Sequence, residues 1–221
     1  MRRLIVLRPE PGASATVERA RERGLEALAI PLFEIEALPW DAPDPGRFDG
    51  LLLTSANAVR SGGDQLERLR VLPVYAVGES TAEAARLAGF EVAYTGDSGV
   101  DALLDSIGPK LKLLHLCGED RRLPKNSYRE IMPLAVYRSK PVAAPDVGAA
   151  ENGIALIHSP RAGGRFAELL PDRGGVSVAA ISEAAAEAVG DGWAAIAIAE
   201  SPNDDALLAL AARLCNKPGA E

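Results

Sequence analysis

The chain has 221 residues, 48% of them hydrophobic and 5% aromatic, enough for one large domain or two smaller ones with aliphatic cores. Its 24 basic and 31 acidic side chains leave a net charge of −7, which argues against nucleic acid as a partner and means any anion site must be built from local donors. The apolar run at residues 4–7 is too short for a signal-peptide core, no run approaches membrane-spanning length, and Cys117 and Cys215 form no C-x-x-C pair, so a cytoplasmic protein with no membrane partner is expected.

In chain order, residues 4–7 read as a buried strand, 13–23 as a helix ended by Gly24, and 25–32 as a second strand. Residues 33–38 alternate polar and apolar side chains, the pattern of a strand with one wet face. Pro39, Pro43, Pro45 and Gly46 mark a linker. Residues 49–54 are predicted as a strand, with a turn or helix from Ser55, an interruption at 61–64 and a resumption over 65–69. Residues 74–77 form a short buried strand, and a helix follows Gly78, where Ser80 and Glu83 have capping-box spacing. A strand around 91–94 precedes a helix over 99–107, opened by a Ser98/Asp101 box. Residues 111–117 start another strand, and 118–130, with Pro124 inside, are expected to be loose. Residues 133–138 alternate again, and Pro141 and Pro145 mark a second linker. Strands are predicted at 154–157, 176–181 and 193–199, with helices over 160–170 and 182–189 between them. Ser201-Pro202-Asn203-Asp204 reads as a third box with proline at the first helical position, opening a helix to Leu214; residues 216–221 are expected to fray.

The segment 74–85 recurs at 178–189. Val74/Val178, Ala76/Ala180, Glu79/Glu183, Ala82/Ala186, Glu83/Glu187 and Ala84/Ala188 are identical at an offset of 104. At the same offset Asp101-Ala102-Leu103-Leu104 returns as Asp205-Ala206-Leu207-Leu208, and Leu51-Leu52-Leu53-Thr54-Ser55 as Ala155-Leu156-Ile157-His158-Ser159. Gly89-Phe90 returns one residue short, as Gly192-Trp193. Three blocks in one order at one spacing point to duplication of a half-chain unit. Leu4 matches Leu113 and Pro31 matches Pro133, so the copy in the middle of the chain has lost seven residues.

Alternating strands and helices predict an α/β chain of two similar, doubly wound parallel-sheet domains. Ligands of such sheets bind beyond the carboxyl ends of the strands, where the boxes and the turns at Thr54-Ser55 and His158-Ser159 fall. Helix N-termini there either only stop fraying or also hold carboxylates and phosphates. The chain has no G-x-G-x-x-G, Walker A or G-x-S-x-G sequence. His115 is expected to be a satisfied core histidine; His158, at a strand end, is a ligand contact or an exposed side chain. Two histidines and two dispersed cysteines make no typical metal cluster, so no metal is expected.

The segments LLLTSANAV (51–59), VYAVGESTAEAARLAGF (74–90), LCGEDRR (116–122), VYRS (136–139) and SPRAGGRF (159–166), in this order, resemble the uroporphyrinogen-III synthase family over nearly the whole chain. The resemblance implies two α/β domains, residues 1–36 plus 142–221 and residues 40–132, joined by an antiparallel ladder of 33–38 and 135–139. It implies a lyase of tetrapyrrole and heme biosynthesis without metal or organic cofactor. The linear tetrapyrrole hydroxymethylbilane would be cyclised in the inter-domain cleft to uroporphyrinogen III, with loss of water and inversion of ring D.

Family residues fall on Tyr137, Thr81 and Ser159. Tyr137 is then a general acid for loss of the hydroxyl, or a packed strand tyrosine. Strand ends and caps add Thr54, Ser55, Gly78, Ser80, His158 and Ser182 as substrate contacts. Arg161 joins this set, while Arg8, Arg60 and Arg165 are helpers or surface charge. Where the family often has threonine, this chain has Ala184 and Ala185, so the hydroxyl there is dispensable or the contact comes from Ser182 or the backbone. The small-molecule substrate is the partner expected, and the chain is expected to be a monomer. The rival reading is a two-domain protein that closes on a small anion without chemistry.

Overall fold

A computed structural model describes residues 2–97, 99–120 and 130–215. The chain forms two compact units. Unit 1 runs from the N-terminus to Glu34 and from Pro141 onward; unit 2 is Ile35–Lys140. In chain order the elements are β1 (Leu4–Val6), α1 (Gly12–Glu22), β2 (Ala27–Ala29), β3 (Phe33–Ala37), β4 (Gly50–Leu53), α2 (Ala56–Arg60), β5 (Val74–Val77), α3 (Glu79–Leu87) and β6 (Val92–Gly96). There follow α4 (Val100–Ser106), β7 (Leu113–Gly118), β8 (Ile131–Pro141), β9 (Ile154–Ile157), α5 (Pro160–Leu169), β10 (Ser177–Ala180), α6 (Glu183–Val189), β11 (Ala195–Ile198) and α7 (Asp204–Cys215).

The sheet of unit 1 is parallel throughout, in the order β11-β10-β9-β1-β2. Its central strands read LIV and IALI because both faces are covered. Alternation sends Leu4, Val6, Ile154 and Leu156 toward Val17 of α1 and Leu207 of α7. Ile5, Ala155 and Ile157 go the other way, toward Phe166 of α5 and Val189 of α6. Each leucine or isoleucine so buried contributes about 1.5–3 kcal/mol.

Unit 2 has the order β3-β8-β7-β4-β5-β6, parallel from β8 to β6. Leu51, Leu53, Leu114 and Leu116 pack with Ala58 of α2 and Ala82 of α3. Leu52 and Leu113 face Leu103 and Leu104 of α4. The register repeats between the units. Leu51 pairs with Val74 and Gly50 with Leu113 in unit 2; Ala155 pairs with Val178 and Ile154 with Leu4 in unit 1. The sequence offset of 104 is therefore also a register offset.

β3 lies beside β8 at the edge of the second sheet. The Leu38 N–H donates to the Val136 carbonyl at 3.0 Å, and the Val142 N–H to the Leu32 carbonyl at 3.0 Å. Arg138 forks onto Glu36 at 2.8 and 3.0 Å.

Several elements differ from the sequence expectations. Residues 25–32 give only the three-residue β2, although the Ile30 and Leu32 N–H groups still donate to the Val6 and Leu7 carbonyls at 2.9 and 3.1 Å. The resumption after residue 62 is a 3₁₀ turn, Gly63–Leu69. The stretch expected to be a free linker is docked: the Trp40 indole donates to the Gly62 carbonyl at 3.0 Å, the Ala42 N–H to Gln65 Oε1 at 3.1 Å, and Ala42 is buried. The second alternating segment becomes β8, eleven residues long and parallel to β7 up to Tyr137. Most of the segment expected to be loose (121–129) and the tail 216–221 lie outside the described residues.

Two of the three expected capping boxes are corrected, and the Ser98/Asp101 box rests on Ser98, which lies outside the described residues. Gly78 has φ +82°, so the chain turns early, α3 starts at Glu79, and the Gly78 carbonyl receives the Thr81 and Ala82 N–H groups. Ser80 therefore sits inside the first turn, with Gly78 as a cap that has no side chain. α4 likewise begins after Gly99 without a side-chain cap, and Ser98 is outside the described residues. α7 begins at Asp204, beyond Pro202, and Asn203 Oδ1, not Ser201, accepts the Ala206 N–H at 2.9 Å. The side-chain caps are instead Ser55, Ser159 and Ser182, which accept from Asn57, Ala162 and Ala185 at 3.2, 3.2 and 3.3 Å.

Candidate active site: the carboxyl-end rims

In a doubly wound sheet the crevice for a ligand opens where successive connections run in opposite directions. In unit 2 that point lies between β4 and β7; in unit 1 it lies between β9 and β1. Thr54 and Ser55 follow β4, and Gly118 ends β7. His158 and Ser159 follow β9, and Arg8 follows β1.

In unit 2 the Thr54 hydroxyl meets His115 Nε2 at 3.1 Å, so His115, 2% exposed, is the core histidine expected from the sequence. Ser55 caps α2 and lies beside the phenol of Tyr137. A register shift after Cys117 makes Gly118 the partner of Tyr137. This brings the ring against the glycine: a Cβ on Gly118 would lie 2.9 Å from Tyr137 Cζ and 3.1 Å from its hydroxyl oxygen. Burial pushes the Tyr137 pKa up; the nearby Ser55 hydroxyl opposes this, and the neighbouring Cys117 thiol adds to it. The phenol thus stays protonated at neutral pH. Val136 is fully buried on the opposite face, as alternation requires.

The rest of the unit 2 set is split. Gly78 borders open space, with nothing within 4 Å of where its Cβ would be. Ser80 is exposed in the first turn of α3, whereas Thr81 is 3% exposed. Arg60 is exposed at the end of α2.

In unit 1 His158 is neither exposed nor open to solvent. Its side chain is 7% exposed and its Nε2 lies 2.7 Å from Asp204 Oδ1. Burial lowers the His158 pKa and Arg8 adds to the shift, against the pull of Asp204. Burial alone would raise the Asp204 pKa, but bonds from His158 and Arg19 overcome it and hold the carboxyl ionised, far below its usual range. The pair is therefore a neutral imidazole donating Nε2–H to a carboxylate. His158 Nδ1, also buried, has no hydrogen-bond partner of good geometry. Thr16 of α1 donates to the same carboxylate at 3.0 Å, and Arg19 Nε does so at 3.0 Å.

Ser159 and Ser182 are half-buried caps of α5 and α6. Ala185, fully buried, occupies in unit 1 the register position of Thr81, and exposed Ala184 that of Ser80. Arg161 lies 4.5 Å over the Phe33 ring. Arg165 faces inward, donating to the Val142 carbonyl at 3.2 Å. Sequence reasoning gave Asp204 no role beyond a cap and gave Gly118 none. The one local signal for Gly118 was a glycine at the end of the run LLHLC.

Two concavities of about 460 and 470 Å³ lie at the other end of unit 2, by Lys112 and Lys110, and include none of these residues. Among the described residues no group of three or more His, Cys, Asp or Glu side chains could hold a metal, and no helix is long and apolar enough to cross a membrane.

Fold and rims define a two-unit, doubly wound α/β protein with polar side chains at the carboxyl ends of both sheets. A family model described as uroporphyrinogen-III synthase HemD matches residues 14–209, and the chain belongs to the uroporphyrinogen-III synthase family. The uroporphyrinogen-III synthase of Chlorobaculum parvum is 30% identical over 92 residues, 38% of this chain and 37% of that protein. The match thus spans little more than a third of that relative's length. Uroporphyrinogen-III synthetase from Helicobacter pylori has the same fold, with a TM-score of 0.70 at 22% identity, covering 97% of this chain and all of that one. A mutant uroporphyrinogen III synthase from Thermus thermophilus gives 0.53 at 19% identity, over 98% of this chain and all of that one.

Proposed function

We propose that the protein is a uroporphyrinogen-III synthase, a cofactor-independent lyase. It would convert hydroxymethylbilane to uroporphyrinogen III with loss of water and inversion of ring D. The observation that carries this reading is the Tyr137 phenol, set against Gly118 at the switch point of unit 2 and kept protonated by burial. Hydroxide is a poor leaving group, so a positioned acid at the hydroxymethyl carbon speeds its departure. The C–O bond breaks, the phenol proton leaves with the hydroxyl as water, and a carbon of ring D attacks the cation that remains. Inversion also requires the methylene bond to ring D to break and re-form at that ring's other α-carbon; the proton released from the carbon that finally closes the ring returns to the phenolate, so the sequence balances.

The acetate and propionate groups are taken by the rims of both units: by Thr54, Ser55, Gly78, Ser80 and Thr81, and by His158, Ser159, Arg161 and Ser182. For the buried Thr81 and His158 this means a contribution through neighbouring backbone or through local movement. We read the units as copies of one ancestor, supported by their common strand order and register. We read β3 and β8 as an antiparallel connecting ladder, supported by the Leu38–Val136, Val142–Leu32 and Glu36–Arg138 contacts. The protein would act as a monomer in the cytoplasm, in keeping with its free cysteines.

The test is to supply hydroxymethylbilane with and without the protein and to separate the isomers formed. Excess type III with the protein, unaffected by chelators, is expected. Only type I in both samples overturns the synthase reading.

A further inference from the structure

β7 carries one polar side chain in an otherwise apolar strand: His115, 2% exposed between fully buried Leu114 and Leu116. His115 is paired in register with Leu52 of β4, on the face that packs against α4. Thr54, two residues beyond Leu52, leaves the sheet on that same face. The His115 ring therefore reaches toward the carboxyl end of the sheet, where its Nε2 lies 3.1 Å from Thr54 Oγ1. Among the described residues this is the one hydrogen bond of the Thr54 hydroxyl. Thr54 is half-buried, so its outer side reaches the rim.

The fold does not require a histidine at this position. The two units share one register, and in unit 1 the place of His115, opposite Leu156, is filled by fully buried Val6. A polar ring in an apolar layer is unfavourable unless it is bonded, and this ring is bonded to the residue that leaves β4 at the switch point. A threonine hydroxyl has one proton and two lone pairs. When Nε2 carries a proton and donates, Thr54 accepts through a lone pair and keeps its own proton for a ligand. When Nε2 accepts, Thr54 gives that proton to the ring and offers a carboxylate only lone pairs, which repel it. The imidazole thus decides whether Thr54 is a donor at the rim.

We propose that His115 is a positioning residue: its Nε2–H donates to Thr54 Oγ1, so that the Thr54 hydroxyl donates its own proton to a substrate carboxylate at the rim of unit 2. The proposal deepens the synthase reading and rests on it for the identity of the ligand. His115 acts through Thr54, on binding and not on bond making, so the effect is expected in KM.

The experiment compares the wild type with Thr54→Val, His115→Phe, the double variant and His115→Gln, whose amide nitrogen can take the place of Nε2. KM and kcat are read with hydroxymethylbilane, the Kd for uroporphyrin III by fluorescence titration, and Tm alongside. The imidazole nitrogens are read by NMR in protein carrying isotope-labelled histidine. The chain has 2 histidines, so the signals lost in His115→Gln identify the ring. His115 Nε2 should carry a proton, and its signal should move when uroporphyrin III is added. Thr54→Val and His115→Phe should each raise KM and Kd about tenfold, the loss of one charge-assisted contact, with kcat changed less than about threefold. The double variant should be no worse than either single one. His115→Gln should keep KM and Kd within about threefold of the wild type.

An Nε2 without a proton, unchanged KM and Kd in a folded His115→Phe, additive effects in the double variant, or an equal rise in His115→Gln and His115→Phe would overturn the proposal. If His115→Phe does not fold, an unprotonated Nε2 or an unchanged Kd in Thr54→Val overturns it. Type III isomer from a wild type whose Nε2 is unprotonated leaves the synthase reading standing and removes His115 from it. Type I isomer alone, with the proton in place and its signal moved by uroporphyrin III, does the reverse.

Discussion

The two rims stand on the same scaffold and differ in chemistry. Strand order and register coincide from β4 through β7 and from β9 through β1. Yet unit 2 presents Thr54, Ser55 and Tyr137, all neutral hydroxyls, whereas unit 1 presents Arg8, His158 and Asp204, an ionic cluster. Buried strands tolerate little change, because a slip of one residue turns the whole apolar set outward. Side chains just past a strand end carry no such constraint, so one framework can carry neutral hydroxyls in one half and an ionic cluster in the other.

The largest expected effect tests the neutral rim. Tyr137→Phe removes only the hydroxyl and should slow type III formation by about 10²–10⁴-fold, with Tm unchanged. Full activity would reduce Tyr137 to packing and erase the main contrast between the rims.

Gly118→Ala is next. The new methyl would meet the ring at 2.9–3.1 Å, so the phenol must shift, and a rate loss of roughly tenfold to a hundredfold is expected from misplacement. An unchanged kcat would mean that the phenol's position against Gly118 is not used.

Acid should weaken the ionic rim. Buried His158, facing Asp204 and Arg8, with Arg19 and Thr16 on the far side of the carboxylate, binds a proton less readily than it would in the unfolded chain. Stability is therefore full above the ordinary histidine pKa of about 6.5 and falls as pH drops below it. The lowered Asp204 pKa adds a second loss in the same direction below about pH 3.9. Hydrogen exchange between pH 7 and 5 should show unit 1 weakening, and His158→Gln should flatten that slope. An unchanged slope in His158→Gln would assign the effect elsewhere.

The smallest effects concern helix starts. Ser55→Ala and Ser159→Ala should each cost about 0.5–2 kcal/mol in denaturant melts, as lost caps. Ser80→Ala should stay within about 0.5 kcal/mol, since Ser80 caps nothing. A Ser80 cost equal to that of Ser55 would restore the capping box at that turn.

How far the sequence could be read follows from which interactions are local. Runs such as IALI and the recurrence at 104 residues located nearly every strand, because burial and repetition are written along the chain. Helix starts were misread at Ser80 and Ser201 because an S-x-x-[DE] pattern cannot reveal a glycine at φ +82° or a better-placed Asn203. Tyr137 was singled out by resemblance, but its contact with Gly118 depends on a register shift that no composition announces. Asp204 was the largest omission. Its partners Thr16 and Arg19 lie 188 and 185 positions away, and His158 lies 46 away, so only folding brings them together.

The division of unit 1 into two stretches has a consequence for the chain as it leaves the ribosome. Unit 2 is continuous, and its last strand is complete once Pro141 has emerged. β1 fares differently, because Leu4 pairs with Ile154 and must wait for a partner 150 residues downstream. At ordinary synthesis rates that is a delay of roughly 8–30 s. During it the apolar N-terminal strand has only β2 beside it and α1 to cover one face. The inner unit can be finished while the outer one is still half made, and this interval is when the nascent chain most needs a chaperone.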